Sequence, residues 1–460
     1  MAYPVIKLKR GYDLLIEGEA EEKIIPLPET PTTVAIKPTD FLGIRPIPKL
    51  LKKEGSIKAG EPLFYDKDYG EELTWTAPAS GEIAEIRRGP KRRIEAIVIL
   101  LDKEQDYYEH EATLDNADSV RKALLSSGLW ALMVQRPYGL VPRPDEKPDA
   151  IFMSMFDTHP LAPRLEFLVK DYEEDFLAGW EALKKLADGL PIFLGYSAER
   201  PHEDIFLSLN GENIRKYFFS GPHPSGNVGV HIHHVFPTYK GSRKIWTIKP
   251  QYLVWWGRLF RKGIIDLTTK IALTAHEVKE PAFYETIAGV NVKALLKDQL
   301  KNDHVRVISG NVFTGTKIDM EKGHVSIKDN MVTVIPEGDF PEFQGWLITH
   351  YPKPSISRTF LSGILYHLGI PVRYKVNTKM HGERRPFVVT GEYEQVTPMD
   401  LYPQHLLKAI IVKDLDLMEQ LGIHEVIEED LALCEFVCTS KTPVQKILRE
   451  GIELFRHEVG

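Results

Sequence analysis

The sequence predicts a multidomain α/β protein: a β-rich start, a parallel sheet, a second small β-rich unit and a mainly helical end. Three observations carry this expectation. Apolar and polar residues alternate through roughly the first hundred positions, and from about residue 116 the apolar spacing lengthens to that of a helix. A strand-helix-strand unit then follows, which implies a parallel sheet. At 460 residues the chain also exceeds what a single hydrophobic core accommodates.

Residues 1–115 read as short strands at Val34–Ile36, Pro62–Tyr65, Leu73–Thr76, Gly81–Ile86 and Ile94–Leu100, separated by turn residues such as Asp68, Gly70 and Gly89-Pro90. The stretch Ala77-Pro-Ala-Ser-Gly-Glu-Ile83 looks like the A-P-x-x-G-x-V strand of biotinyl and lipoyl carriers, which implies a barrel-sandwich-like unit. A carrier bears its cofactor on a methionine-flanked lysine of the preceding hairpin. The hairpin here, Tyr65–Glu72, has no such flanks, so Lys67 reads as a surface lysine. The basic run Arg87–Arg93 reads as a solvated hairpin turn around Gly89-Pro90.

Residues 116–255 open with a short helix, capped by Asp118 or Ser119, facing Val120, Ala123 and Leu124 inward and stopped by Gly128. A strand at Ile151–Met155, a helix from Asp171 to Asp188 and a strand at Ile192–Tyr196 form the parallel unit. In that helix Phe176, Leu177, Trp180, Leu183 and Ala187 recur at helical spacing. Ligands of such sheets bind beyond the carboxyl ends of the strands. The loops Asp157–Pro163 and Ser197–Pro201 leave those ends.

Residues 256–345 alternate again, with strands at Val305–Ile308 and Met331–Ile335, and fit a small β-grasp-like unit. Gly310–Lys317 misses the phosphate-binding P-loop because it has Thr-Lys where Lys-Thr or Lys-Ser is required. Residues 346–460 are mainly helical in pattern. Thr442 is placed to cap a last helix, with Pro443 in its first turn, Gln445 completing a capping box, and Val444, Ile447, Leu448, Leu454 and Phe455 as its apolar stripe.

Composition narrows the function. With 43% hydrophobic and 27% charged residues the chain has a globular makeup, and no apolar stretch approaches the ~20 residues of a membrane helix. The start carries no apolar core of a secretory signal, which predicts a cytoplasmic protein. A net charge of -7 without a sustained basic tract argues against a nucleic-acid partner. The two cysteines, Cys434 and Cys438, cannot alone complete a zinc or iron-sulfur site and read as buried structural residues.

A site is most expected at Ser220-Gly-Pro-His-Pro-Ser-Gly-Asn-Val-Gly-Val-His-Ile-His-His234, a loop that leads into an alternating, strand-like stretch. Gly221, Gly226 and Gly229 permit close backbone approach, while Pro222 and Pro224 stiffen the turn. Their G-x4-G-x2-G spacing does not meet the dinucleotide fingerprint. On a strand, His231 and His233 would share one face and His234 the other, with His223 approaching through the loop. A metal-binding module built on His223, His231 and His233 is one alternative. An autonomous flavin or NAD oxidoreductase is another. No hydrolase or redox-dithiol motif is present.

Colinear segments extend along the chain: Ile6–Leu14, Thr76–Ile83, Gly221–His233, Ile356–Phe360, Gly391–Asp400 and Glu429–Cys438. In them the sequence resembles the family of A subunits of Na+-translocating NADH:quinone reductases. The resemblance implies a Rossmann-like sheet unit, a β-grasp (SLBB-like) unit and a helical end, as in the NADH-oxidising flavoprotein subunit of respiratory complex I. It further implies a peripheral subunit on the cytoplasmic face of the bacterial inner membrane, partnered by integral membrane subunits, in a complex that uses NADH and flavins. No redox cofactor is expected on this chain, no catalytic residue and no metal ligand are assigned, and quinone is its expected substrate contact. That contact, or one with a partner, is expected at Gly221, His223, Pro224, Gly226, Gly229, His231 and His233. One departure is Thr439, which follows Cys438 where the family usually has proline.

Overall fold

The computed structural model describes residues 4–238, 241–341, 353–356 and 360–459. The matched segment Ile356–Phe360 therefore lies partly outside the described residues. Four sheets and a helical end make up the described chain.

The β-rich start is built from a four-stranded sheet, in the order Thr33–Ile36, Ile94–Leu101, Gly81–Arg88, Ser56–Ile57, and a three-stranded one of Lys49–Leu50, Pro62–Tyr65 and Thr74–Thr76. Buried and exposed residues alternate at the start of Gly81–Arg88, whereas Thr33–Ile36 and Pro62–Tyr65 each bury three successive residues. Trp75 stacks on Phe64 with ring centroids 5.3 Å apart and anchors the core of this unit. The turn around Gly89-Pro90 joins Gly81–Arg88 to Ile94–Leu101, as the turn chemistry predicts.

Six strands form the central sheet, in the order Val5–Lys7, Ile214–Ser220, Ile192–Ser197, Ala150–Ser154, Ile245–Thr247, Val134–Arg136. All neighbours are parallel except the last pair. The helices Glu173–Ala187 and Tyr252–Lys262 cross closely beside it. A Cβ at Gly179 would stand 1.9 Å from the Leu253 carbonyl oxygen, and one at Gly257 1.7 Å from that of Asp175, so both crossing points require glycine. The first helix, Ala117–Ser126, is capped by Asn116 rather than by Asp118 or Ser119. Asn116 is extended and accepts the Ser119 N–H at 2.9 Å, which makes Ser119 the return partner of the capping box.

A five-stranded sheet follows, ordered Ala282–Ile287, Thr268–Thr274, Met331–Pro336, Val305–Ser309, Thr316–Ile318. Gly310–Lys317 forms the hairpin between its last two strands, with no helix behind it to bind a phosphate. The end of the chain packs helices Glu392–Val396, Pro403–Val412, Glu428–Val437 and Val444–Glu458 around Tyr393, Leu407, Leu431 and Leu448. The last helix starts one residue later than its local signal implies, with Pro443 outside it and no cap from Thr442. Glu435 of the preceding helix accepts the Gln445 N–H at 2.9 Å, so a tertiary contact replaces the local capping box. Cys434 and Cys438 are both buried, and burial pushes the Cys434 thiol up to about 12. Among the described residues no helix is long and apolar enough to cross a membrane.

Candidate functional site

The parallel strands Ala150–Ser154, Ile192–Ser197 and Ile214–Ser220 end on one edge of the central sheet, and the loops that leave them interlock. The Gly221 N–H donates to Glu199 Oε1 at 2.9 Å, and the Gly226 N–H donates to Thr158 Oγ1 at 3.1 Å. Thr158 Oγ1 also lies 3.0 Å from His223 Nδ1. The N-terminal segment joins them, because the His223 N–H reaches Asp13 Oδ1 at 2.8 Å and its carbonyl accepts the Tyr12 N–H at 2.8 Å.

Beyond the loop the chain is helical, Val228–Val235, and not the expected strand. The alternation of Val228, Val230 and Ile232 looks like a strand because every one of them is at least partly buried. Val230 packs into the helical core while Ile232 packs against Ala150, Phe152 and Phe193 of the sheet, so the helix is apolar on opposite sides. The Val230 and His231 N–H groups both point to the Asn227 carbonyl, at 3.1 and 3.3 Å, and close the first turn.

The seven residues expected at the site are each held by packing. Gly221 has φ +130 and a Cβ there would lie 2.3 Å from the Leu8 carbonyl oxygen. At Gly226 a Cβ would lie 2.9 Å from the backbone nitrogen and hydroxyl of Thr158. At Gly229 it would lie 2.2 Å from Asp430 Oδ1. Pro224 is buried beside them. His231 Nε2 lies 2.8 Å from the Ser225 carbonyl oxygen; because a carbonyl only accepts, Nε2 carries the proton. Its ring stacks on Phe219, with centroids 4.0 Å apart, in a space left by Gly195. His233 accepts the Asp400 N–H on Nε2 at 3.0 Å, which leaves Nδ1 as the donor to Glu425 Oε2 at 2.8 Å. The three rings of His223, His231 and His233 therefore serve different partners. Among the described residues no group of three or more His, Cys, Asp or Glu is placed to hold a metal ion.

Side chains outside the expected set supply the charge. His159 lies 2.7 Å from Asp157 through Nδ1, and its ring is 4.7 Å from that of His223. Burial alone would favour neutral groups, but the mutual charge and hydrogen bonds of the pair outweigh it, lowering Asp157 and raising His159. Burial, then the charge of His159, holds His223 well below the usual histidine value. Burial likewise lowers His231 to about 4. Lys249, just past the end of Ile245–Thr247, is raised by Tyr252, Asp329 and Asp157, while burial pushes Tyr252 up to about 12.

A second charged junction fixes the helical end to the sheet. Arg136, buried on the edge strand, pairs with Asp430 and Glu429 at 2.6 Å each. Asn227 Nδ2 donates to the Glu429 carbonyl at 3.0 Å, and Gly229 leaves the room that Asp430 occupies. No local pattern marks Arg136, whereas Glu429 and Asp430 begin one of the matched segments and Asp157 and His159 sit in a loop flagged by its place at a strand end. The arrangement is a polar, interlocked edge in which pairing lowers Asp157 and raises His159 beside a lowered His223.

Three family descriptions match in chain order: "NqrA N-terminal barrel-sandwich hybrid domain" over residues 6–102, "NqrA second alpha/beta domain" over 115–265 and "NQRA C-terminal domain" over 270–319. The chain is 36% identical over 461 aligned residues to the A subunit of the Na(+)-translocating NADH-quinone reductase of Neisseria meningitidis serogroup B, covering 99% of this chain and 100% of that one. The same-named protein of Alcanivorax borkumensis is 33% identical over 461 residues, with the same coverage. A solved structure titled "Crystal structure of NAD+-reducing [NiFe]-hydrogenase in the air-oxidized state" aligns at 12% identity and a TM-score of 0.39, covering 75% of this chain and 62% of that chain.

The chain is thus a multidomain α/β protein with a barrel-sandwich start. It belongs to the family of A subunits of the Na(+)-translocating NADH-quinone reductase, a translocase complex.

Proposed function

We propose that this chain is a peripheral subunit on the cytoplasmic face of that complex, supporting quinone reduction and assembly without a redox cofactor of its own. The interlocking of the Gly221 to His234 segment with the sheet edge, the N-terminal segment and the helical end is the observation that carries this reading. Such a segment sets the relative position of the parts around it, and Gly221, His223, Pro224, Gly226, Gly229, His231 and His233 shape the contact with quinone or a partner protein. Mostly buried, these residues act by shaping the edge, with Gly221 and His233 partly exposed.

The domains follow as 1–115, 116–255, 256–345 and 346–460, the second Rossmann-like and the third β-grasp-like. The parallel order of the central sheet supports the former, although the helix Tyr252–Lys262 runs through the second boundary. Attachment through protein contacts with integral membrane subunits fits a chain whose described helices are too short or too polar to span. The test is purification of the chain alone and with its partners. The expected outcome is a colourless chain that reaches the membrane fraction only with the integral subunits; stoichiometric flavin absorbance, or persistent attachment of the chain alone, overturns the proposal.

A further inference from the structure

Away from the sheet edge, a cavity of about 550 Å³ opens in the helical end. It falls in the size range of small-molecule sites. Segments from three matched stretches of sequence meet on its wall: Ile356 and Phe360, then Glu392, then Glu435, Phe436 and Val437. The proposed role of the Gly221 segment uses none of them.

One wall is cationic. Arg384, Arg385 and Lys441 line it, and no ion pair to another described residue is formed by any of the three. Two hydrogen bonds tie the backbone at Arg385 and Pro386 to Ser440, next to Lys441. The Arg385 N–H donates to the Ser440 carbonyl at 3.0 Å, and Ser440 Oγ donates to the Pro386 carbonyl at 3.0 Å. Lys441, whose Cε lies 3.8 Å from where a Cβ of Gly382 would stand, closes the rim. The two carboxylates on the lining are already engaged: Glu392 accepts the Thr439 hydroxyl at 3.0 Å, and Glu435 accepts the Gln445 N–H. The lining also has an apolar and aromatic part, with Phe360, Phe436 and Pro443.

Two arginines and a lysine, more cations than the two carboxylates of the lining, beside an aromatic wall match a ligand with an anionic head and an apolar body. Guanidinium groups favour phosphate through forked, charge-assisted hydrogen bonds. We infer that this cavity is a binding site for a phosphate group, and that Phe360 and Phe436 take the apolar part of a phosphate-bearing molecule. The phosphate belongs either to a lipid headgroup or to a free phosphorylated compound.

The test is calorimetric titration of the full chain with two probes, inorganic phosphate and a water-soluble short-chain phosphatidic acid. Saturable binding with one site per chain is expected for phosphatidic acid. The double variant Arg384→Gln/Arg385→Gln should weaken it at least tenfold, while Arg88→Gln/Arg92→Gln, on the distant hairpin, should leave it unchanged. Phe436→Ala should weaken phosphatidic acid and spare phosphate if the lipid is the source. Equal affinity for both probes, insensitive to Phe436→Ala, keeps the phosphate site but overturns the role given to the aromatic wall. No saturable binding of either probe, or binding unaffected by loss of both arginines in a variant that keeps its helical circular dichroism, overturns the inference.

Discussion

Replacing Gly229 by alanine should destabilise the junction between the central sheet and the helical end, although the local rule predicts the opposite. Gly229 lies within the helix Val228–Val235, where an alanine ordinarily adds about 0.4–1 kcal/mol. Here the new Cβ would fall 2.2 Å from Asp430 Oδ1 and 2.7 Å from its Cγ. Asp430 cannot simply rotate away, because Arg136 holds it at 2.6 Å and the Ile427 N–H at 2.9 Å, all in a buried site. Displacing it breaks a buried ion pair, which costs about 3–5 kcal/mol when one partner is left uncompensated. Less the helix gain, a net loss of about 3 kcal/mol is expected, equivalent to roughly a hundredfold change in a local opening equilibrium. Hydrogen exchange of the helix Glu428–Val437 reads that opening directly. Asp430→Ala should produce a comparable loss, and adding Gly229→Ala to it should cost little more, since the clash has gone. Exchange unchanged or slowed in Gly229→Ala, or strictly additive effects in the double variant, would refute the reasoning.

Three further outcomes follow from the same geometry. Gly226→Val should lower the thermal midpoint by several degrees, because a Cβ there already lies 2.9 Å from both the backbone nitrogen and the hydroxyl of Thr158; a midpoint within a degree or so of the parent contradicts this. His233→Ala removes hydrogen bonds to Glu425 and to the Asp400 N–H, so it should weaken quinone affinity of the assembled complex by no more than about tenfold, read by titration. Acid should erode stability through His231, whose folded value is lowered to about 4 against an unfolded value of 6.5. Its contribution is present above 6.5 and is lost as the pH falls toward 4, by up to about 3 kcal/mol. His223 acts in the same direction, while Asp157, also lowered, loses its contribution only as the pH falls below its unfolded 3.8. The His231→Gln variant should show a flatter urea midpoint between about pH 6.5 and 4; an unchanged slope contradicts the assignment.

What can be read in the sequence is what is encoded locally. The strands of the β-rich start, the helix ending at Ala187 and the parallel unit around it follow from short-range periodicity, and Gly128 and Asp188 end helices in left-handed conformations. The Gly221 loop is legible from composition because its glycines meet neighbouring backbone or a buried carboxylate. Its continuation reads as a strand because Val230 and Ile232 are buried against different bodies, and two-sided burial of a helix imitates that alternation. The start of the last helix escapes a local reading because Glu435 supplies its hydrogen bond across a turn. The Arg136–Asp430 pair joins residues 294 positions apart, and no local signal could reveal it. The pairing of His159 with Asp157 is local, yet its electrical effect on His223 exists only once the loops meet.

The most direct test of the central claim compares two activities of one preparation of the assembled complex carrying Gly226→Val. Quinone reduction and NADH oxidation by an artificial acceptor are measured side by side, with quinone affinity from the first. If the Gly221 to His234 segment shapes the quinone or partner contact, quinone reduction falls with the integrity of the loop while oxidation by the artificial acceptor survives. A complex that assembles with the variant and keeps full quinone reductase activity and quinone affinity would contradict the account and leave the segment a structural element alone.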